Sequence, residues 1–189
     1  MSKPADSWPP VDTEPAVPHP AAPAPGSKLG VHYTHCFGCG DQIEDGLHMQ
    51  STVGDGMVVV SHFTVTETHQ GAPGLAHGGL LACAFDEALG AAVGNLLRKP
   101  AVTGRLETDF VRPVPVGSTL HITAKLDGVA GRKIYASAEG RLNADDGAVA
   151  VRARGLFVTV GFDHFTTHGD ADALEKLQQA GQEGWDINP

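Results

Sequence analysis

Residues 78–97 read GGLLACAFDEALGAAVGNLL, and this stretch decides the fold because it is nearly all apolar and long enough for about five helical turns. Asp86 and Glu87 lie at its centre, where each charge would be costly in a lipid bilayer. A helix that is apolar all round and does not lie in a membrane is buried within protein. The stretch therefore predicts a core helix that stops before Pro100 and needs covering on all sides.

Segments of alternating polar and apolar residues on both sides of this helix predict antiparallel strands with a single apolar face. Two of them precede the helix, at residues 47–53 and 57–65, and the Gly-Asp-Gly sequence at 54–56 indicates a hairpin turn between them. Four more follow the helix and cover residues 102–111, 120–126, 134–142 and 149–160. A turn is expected at Asp127-Gly128.

The predicted helix must be covered on all sides, and the predicted sheet has one apolar face to bury. One simple arrangement satisfies both requirements. The sheet curves strongly and wraps around the helix, which gives an α+β protein with the hotdog arrangement. The edges of such a sheet present unpaired backbone groups, and side-by-side pairing of two copies covers them. We therefore expect a homodimer or a dimer of dimers.

Composition divides the chain into three parts. Residues 1–28 hold eight of the 13 prolines, with alanine in many of the gaps, and such a segment cannot bury a core. We expect it to be a disordered tail. Residues 29–165 form the predicted hotdog domain, and residues 166–189 are expected to be a C-terminal tail with a short amphipathic helix at 170–182.

The charge and the cysteine content exclude several classes of protein. The formal net charge of −9 and the pI near 5.4 argue against binding of duplex nucleic acid, which requires a basic surface. Three cysteines, an odd and small number, indicate no disulfide framework. The first residues show no positively charged start followed by an apolar run. We therefore expect a cytoplasmic protein that enters no membrane and binds no nucleic acid.

The start of the predicted helix, His77-Gly78-Gly79, has none of the side chains that usually cap a helix N-terminus. Free N–H groups at the positive end of the helix dipole favour a negative charge, and a developing thioester oxyanion is one such charge. Asp86 follows nine residues after His77, where burial of a lone carboxylate is unfavourable. It is therefore expected to be either functional or paired with a cation. The candidate partners for such an ion pair are Arg105 and Arg112.

Four motifs occur in a fixed order along the chain. They are the run 69–79 (HQGAPGLAHGG), the run 86–90 (DEALG), the Arg-Pro segment 110–115 (FVRPVP) and the segment 131–134 (GRKI). Together they resemble the PaaI-like branch of the hotdog acyl-CoA thioesterases, within the superfamily related to 4-hydroxybenzoyl-CoA thioesterase. The resemblance covers about residues 35–162 and leaves both ends of the chain outside.

The resemblance implies a catalytic role for Asp86, as general base on water or as nucleophile on the thioester carbon. It implies that Gly79, with Gly78 as a further candidate, donates a backbone N–H to the oxyanion. Thr103 stands where related enzymes orient the attacking water with a hydroxyl group. His77 is expected to hold the loop or the substrate carbonyl. The site would lie between two protomers, and Asp86 and Thr103 can come from different chains.

Substrate binding is implied for the loop before His-Gly-Gly, where many relatives have an asparagine. This chain has His69 and Gln70 there, and the longer Gln70 amide could replace the asparagine amide. Three cations are either ligands for the phosphates of CoA or solvated surface charges. They are Arg112, Arg132 and Lys133. No cofactor is implied.

Cys36 and Cys39 form a Cys-x-x-Cys pair with His32 and His48 nearby in sequence, and these four side chains could complete a tetrahedral zinc site. A zinc site of this type normally shows its second ligand pair at regular spacing, and the chain has no second Cys-x-x-Cys. The pattern therefore favours a tight, glycine-containing turn that covers the helix end. No metal is predicted.

The sequence thus predicts an enzyme that hydrolyses an acyl-CoA thioester to the free acid and CoA. The alternative is a non-catalytic module of the same fold that binds acyl-CoA or an acyl-carrier protein without turnover. A dehydratase or hydratase is disfavoured, because the Asp–His pattern of that chemistry is not found. These motifs leave open the acyl chain and the choice between CoA and a carrier protein.

Overall fold

Strands account for most of the regular structure in the computed structural model, which describes residues 7–174. They are β1 (Gln50–Val53), β2 (Val58–Thr64), β3 (Gln70–Ala72), β4 (Leu75–Ala76), β5 (Ala101–Phe110), β6 (Thr119–Ala130), β7 (Lys133–Leu142) and β8 (Val149–Thr159). One antiparallel sheet has the order β1-β2-β6-β7-β8-β5, and β3 and β4 form a separate small hairpin. The prediction of two strands before the helix and four after it is confirmed. The small hairpin occupies a segment that was expected to be a loop.

Helix α1, Gly78–Ala92, lies at the centre of the core and continues through a π-helical turn at Val93–Leu97. The chain leaves the helix at Arg98, which has a left-handed φ of 49° and precedes Pro100 by two residues. Helix α1 packs against β2, β5, β6, β7 and β8, so five of the six strands of the main sheet cover it. This arrangement confirms the predicted α+β hotdog fold.

The segment Gly78–Leu97 is long and apolar enough to cross a bilayer when it is judged by length and composition alone. In the fold most of it is buried inside the protein, and Phe85, Ala88 and Leu89 are completely inaccessible to solvent. Its apolar character is therefore explained by its place in the protein core.

Strand β6 shows the predicted alternation clearly. Its inward side chains are all buried: Leu120, Ile122, Ala124 and Leu126. One detail is wrong, because Asp127-Gly128 is not a turn. Strand β6 continues to Ala130 with a bulge between Leu126 and Gly128, and the turn follows at Gly131, whose φ of 60° suits glycine.

Strand β5 departs from the regular alternation that residues 102–111 predict. Among residues 7–174 it pairs only with β8, which makes it an edge strand, and a bulge shifts its register between Thr103 and Arg105. The apolar face expected for it is therefore only partly buried: Leu106 packs against the core, whereas Phe110 is 53% exposed. An unpaired strand edge and an exposed aromatic ring consequently lie beside the start of α1.

The N-terminal segment is not a free tail where the structure describes it, from residue 7 onward. The Trp8 indole N–H donates to Asp127 at 3.0 Å, and the Trp8 ring meets Tyr135 edge-on with 5.4 Å between centroids. Two backbone bridges join the segment to the sheet, Glu14 with Val129 and Lys28 with Thr52. The prediction of a disordered tail therefore does not hold for residues 7–28. Contacts with the main domain order this segment, which has no core of its own.

The C-terminal part begins earlier than the boundary expected at residue 165, because helix α2, Phe162–His168, runs across that position. Residues 171–174 are helical, which agrees with the first residues of the helix predicted at 170–182. The remainder of that predicted helix lies outside the described residues.

Candidate active site

The sheet leaves one face of α1 partly open, and this open face borders a cleft of about 260 Å³. The residues of the open face follow helical spacing, and they are Gly79, Ala82, Cys83, Asp86, Glu87 and Gly90. The cleft is lined by α1, by residues 101–103 of β5, and by His32 and Cys36 of the N-terminal loop. Asp86 and Glu87 both line this cleft.

Asp86 is held by the side chain of Thr103, which lies at the bulge of β5. The Thr103 hydroxyl donates a hydrogen bond of 2.8 Å to Asp86 Oδ1. Burial raises the pKa of Asp86 above its ordinary value, the hydrogen bond from Thr103 opposes this shift, and the charge of Cys36 adds to it. The structure thus brings the two predicted residues together, and it does so within one chain rather than across two.

The arginine ion pair considered as the alternative for Asp86 does not form. Arg105 pairs with Glu107 at the surface, and Arg112 donates to the Val149 carbonyl at 2.6 Å. Within residues 7–174, no lysine or arginine forms an ion pair with Asp86. The carboxylate therefore has a hydroxyl partner and a cleft, and no lysine or arginine of the described part of the chain neutralises it.

His77 caps the N-terminus of α1, which corrects the expectation of an uncapped helix. Its Nδ1 accepts a hydrogen bond of 2.9 Å from the Gly79 N–H. This role is not visible in the sequence, because the usual N-cap residues are Ser, Thr, Asp and Asn. The Gly79 amide, which was predicted to bind the oxyanion, is thus engaged by a side chain of its own chain.

Gly78 has a different environment from Gly79. Among the described residues its N–H has no hydrogen-bond acceptor, as expected at the first position of a helix. Gly78 lines a second cleft of about 260 Å³ with Leu75, Phe110 and Arg112 among its neighbours. Gly78 is therefore the amide of the His-Gly-Gly motif that is able to donate to an anion in this structure.

His69 and Gln70 make their contacts within their own loop. His69 is buried, its Nδ1 accepts from the Thr66 N–H at 3.1 Å, and its Nε2 has no hydrogen-bond partner among the described residues. The Gln70 amide donates to the Glu67 carbonyl at 2.9 Å and accepts from the Gly74 N–H at 2.6 Å. Both ends of the Gln70 amide are thus occupied, and the geometry does not support its use as a substitute for an asparagine at the substrate.

The three candidate phosphate-binding cations do not lie together. Lys133 is the first residue of β7 and lies opposite Val158 of β8, which in turn pairs near the start of β5. The neighbouring Arg132 donates a hydrogen bond of 3.0 Å to the Thr159 carbonyl. Arg112 follows the other end of β5, about eight strand residues or roughly 26 Å away. Arg112 therefore cannot bind the same phosphate group as Arg132 or Lys133 of its own chain.

A second group of polar side chains meets beside Asp86. It consists of His32, Cys36, Cys39 and Glu87, whose metal-binding atoms all lie within 4.8 Å of one another. The hydrogen bond with Cys39 lowers the pKa of Cys36 below its ordinary value, although burial opposes the shift. His48, the other histidine considered for a zinc site, instead contacts the Gly40 carbonyl at 2.8 Å through Nδ1. The contact of Cys36 with Glu87 spans 51 residues, so no local spacing could have revealed it.

Comparison with solved structures first defines the class of the fold. The PaaI protein of the E. coli phenylacetic acid degradation operon superposes with a TM-score of 0.57 at 24% identity, over 64% of this chain and 86% of that chain. A solved thioesterase superfamily protein gives a TM-score of 0.60 at 32% identity, over 72% of this chain and 69% of that chain. Residues 73–148 also match the family described as the Thioesterase superfamily. The chain therefore belongs to the thioesterase superfamily.

Curated proteins with similar sequences include two acyl-coenzyme A thioesterases named THEM4. The protein from Bos taurus is 39% identical over 89 residues, which are 47% of this chain and 35% of that protein. The protein from Xenopus laevis is 33% identical over 89 residues, which are 47% of this chain and 39% of that protein. The matched part of the chain thus spans less than half the length of these relatives.

Proposed function

We propose that this protein hydrolyses acyl-CoA thioesters to the free acid and CoA. The observation that carries the proposal is the half-buried Asp86 carboxylate, which borders a cleft, accepts a 2.8 Å hydrogen bond from Thr103 and pairs with no lysine or arginine among residues 7–174. Membership of the thioesterase superfamily supports the reaction. Similarity to the THEM4 acyl-coenzyme A thioesterases supports acyl-CoA as the class of substrate.

The reaction follows one of two routes from this geometry. As a general base, Asp86 takes a proton from water while the water oxygen attacks the thioester carbon; the C–S bond then breaks, and the proton passes to the departing thiolate. As a nucleophile, Asp86 itself attacks the carbon and displaces the thiolate, and water then hydrolyses the resulting anhydride. In both routes the Thr103 hydroxyl orients the carboxylate, and a backbone N–H stabilises the oxyanion.

The proposed site requires two copies of the chain. Eight residues of helix separate Gly78 from Asp86, or roughly 12 Å along the helix axis, and one thioester group cannot contact both. Asp86 and Thr103 of one protomer would therefore act with the Gly78 N–H of its partner. The unpaired edge of β5 and the exposed ring of Phe110 supply surface for this pairing, in a homodimer or a dimer of dimers.

The proposal is tested by measuring release of free thiol from a panel of acyl-CoAs, with wild-type protein and Asp86→Asn. Asparagine keeps the shape of the side chain and can still accept the Thr103 hydrogen bond, but it can neither take up a proton nor attack the thioester. We expect kcat to fall by about 10² to 10⁴.

The matched control is Asp55→Asn, an identical change at an exposed position in the turn between β1 and β2, away from the edge of β5. It should retain wild-type turnover. Two results would overturn the proposal: acyl-CoA that binds to the wild-type protein but is never cleaved, or full turnover by the Asp86→Asn variant.

A further inference from the structure

We propose that His32, Cys36, Cys39 and Glu87 bind one zinc ion, which fastens the N-terminal loop to α1 at the edge of the active-site cleft. The sequence pattern alone favoured a simple turn at the two cysteines. In the structure the fourth donor is Glu87, which lies on α1 and is far from the loop in sequence. Glu87 takes the place of His48, which the sequence had suggested as a ligand.

The donor atoms lie near the separations expected of ligands to one ion, and all of them are within 4.8 Å of one another. Cys39 Sγ lies 3.0 Å from His32 Nδ1. Glu87 Oε2 lies 3.4 Å from Cys36 Sγ, and Glu87 Oε1 lies 3.5 Å from His32 Nδ1. Around a tetrahedral zinc ion, with Zn–S near 2.3 Å and Zn–N or Zn–O near 2.1 Å, neighbouring ligand atoms are roughly 3.3–3.8 Å apart. Small side-chain rotations therefore suffice to place all four on one ion.

The backbone of the loop holds the two cysteines in place. The Gly40 N–H donates to the Cys36 carbonyl at 2.8 Å and closes the turn, and the Gly38 N–H donates to Cys36 Sγ at 3.3 Å. An N–H directed at sulfur favours the thiolate, which is the form that binds metals. Gly38 also admits Glu87, because a Cβ at position 38 would lie 2.5 Å from Glu87 Oε2.

The chemistry of the donors selects the kind of ion. Two sulfur ligands and an imidazole suit zinc, whereas Mg²⁺ and Ca²⁺ take oxygen ligands. The Glu87 side chain is only 15% exposed, and among residues 7–174 it pairs with the His32 imidazole at 3.5 Å and with no lysine or arginine. A divalent cation would compensate this carboxylate and the neighbouring thiolate.

The position of the cluster indicates a structural rather than a catalytic ion. Four protein ligands close the coordination shell and leave no position for a reacting water. His32, Cys36 and Glu87 line the same cleft as Asp86, so the ion would fix one wall of that cleft. The inference does not depend on the proposed hydrolysis, because a bound ion is detectable without any substrate.

The test is a competitive titration of the reduced, metal-free full-length protein with Zn²⁺ in the presence of a chromophoric chelator. We expect one Zn²⁺ per chain, a rise in the thermal unfolding midpoint with Zn²⁺ but not with Mg²⁺, and thiolate-to-metal absorption when Co²⁺ replaces Zn²⁺. Loss of a ligand in His32→Gln, Cys39→Ser or Glu87→Gln should raise the Kd by more than the roughly 10- to 100-fold that loss of an outer-shell partner causes.

Four further variants keep all four ligand residues. His35→Gln changes the exposed histidine of the same loop, and Cys83→Ala removes the thiol outside the cluster; both should bind zinc like the wild type. Gly38→Ala keeps every ligand but displaces Glu87, and it should raise the Kd by roughly 10- to 100-fold. Gly30→Ala, where an added Cβ meets nothing within 4 Å, is its control.

The proposal is overturned if the wild-type protein takes no zinc from the chelator, or if Cys39→Ser binds zinc as tightly as the wild type. It is also overturned if thiol titration of the freshly purified protein finds Cys36 and Cys39 joined in a disulfide. Circular dichroism of each variant separates the loss of a ligand from the loss of the fold.

Discussion

The two faces of helix α1 differ in almost every respect, although their residues alternate along the same fifteen-residue segment. Ala84, Phe85, Ala88 and Leu89 are completely buried against the sheet. Asp86 and Glu87, which lie between them in sequence, are partly buried on the side that borders the cleft. The covered face therefore holds the fold together, and the open face carries both carboxylates to which we assign chemistry.

A long apolar helix can therefore carry two carboxylates when the sheet that wraps it leaves one side of the helix open. The two acids have different partners: Asp86 has the Thr103 hydroxyl, and Glu87 has the Cys36 thiol and the His32 imidazole. Adjacent residues of a helix point about 100° apart, which is enough to place them in different groups of side chains. If the faces have separate roles, substitutions on one should affect stability and substitutions on the other should affect turnover.

The largest effect on stability is expected on the covered face, for Leu89→Ala. Leu89 is fully buried, and truncation leaves a cavity that lowers the free energy of unfolding by about 2–5 kcal/mol. Urea denaturation of the variant and of Cys83→Ala, a truncation on the open face, measures the difference between the faces. If Cys83→Ala lowered the free energy of unfolding as much as Leu89→Ala, the two faces of α1 would not differ in their contribution to stability.

The next largest effect is expected at the first residue of α1, for Gly78→Pro. Proline is well tolerated at this helix position and after an extended residue such as His77, whose ψ is 131°, but it has no N–H to donate. Loss of this donor should lower kcat by about 10² to 10³ with little effect on unfolding. Gly78→Ala adds a side chain and keeps the N–H, so the ratio of the two variants isolates the amide.

Mixing two inactive variants shows whether one site is shared by two chains. A hybrid of Asp86→Asn with Gly78→Pro would contain one site built from an intact Asp86 and an intact Gly78 on different protomers. Co-expression should therefore restore part of the turnover. Mixtures that stay inactive, although mass analysis shows hybrids, would place all the catalytic groups within one chain.

The smallest effect is expected for Thr103→Val, which removes the hydroxyl that binds Asp86 and keeps the shape of the side chain. A hydrogen bond to a charged group is worth about 1.5–3 kcal/mol, so kcat/KM should fall roughly 10- to 100-fold. Thr123→Val, the same change at an exposed position of β6, is the control and should leave turnover unchanged. Equal activities of the two variants would show that the Asp86 carboxylate needs no partner on β5.

The sequence was sufficient to predict the architecture because the strongest signals in it are local. The apolar run at 78–97 and the alternation from Leu120 to Leu126 each follow from the period of one element, and both are confirmed. Strand β5 was less predictable, since the bulge at Thr103 and its place at the sheet edge are properties of the assembled sheet.

The site was only partly predictable from the sequence, because some of its contacts also form only in the assembled fold. Asp86 is conspicuous as an acid in an apolar helix, but the His77 cap depends on a rotamer, and it turns the expected donor Gly79 into an occupied group. The contact of Glu87 with Cys36 joins segments 51 residues apart, which only the fold brings together.

The packing of Trp8 has a practical consequence for anyone who trims this protein. Tyr135 is only 2% exposed, and the indole of Trp8 is one of the groups that cover it. Composition suggests residue 29 as a clean starting point for a shortened chain, yet that cut would remove the indole along with the prolines. The truncated protein would present a new aromatic patch to water, and crystallisation or binding experiments on it would report on a surface that the longer chain hides.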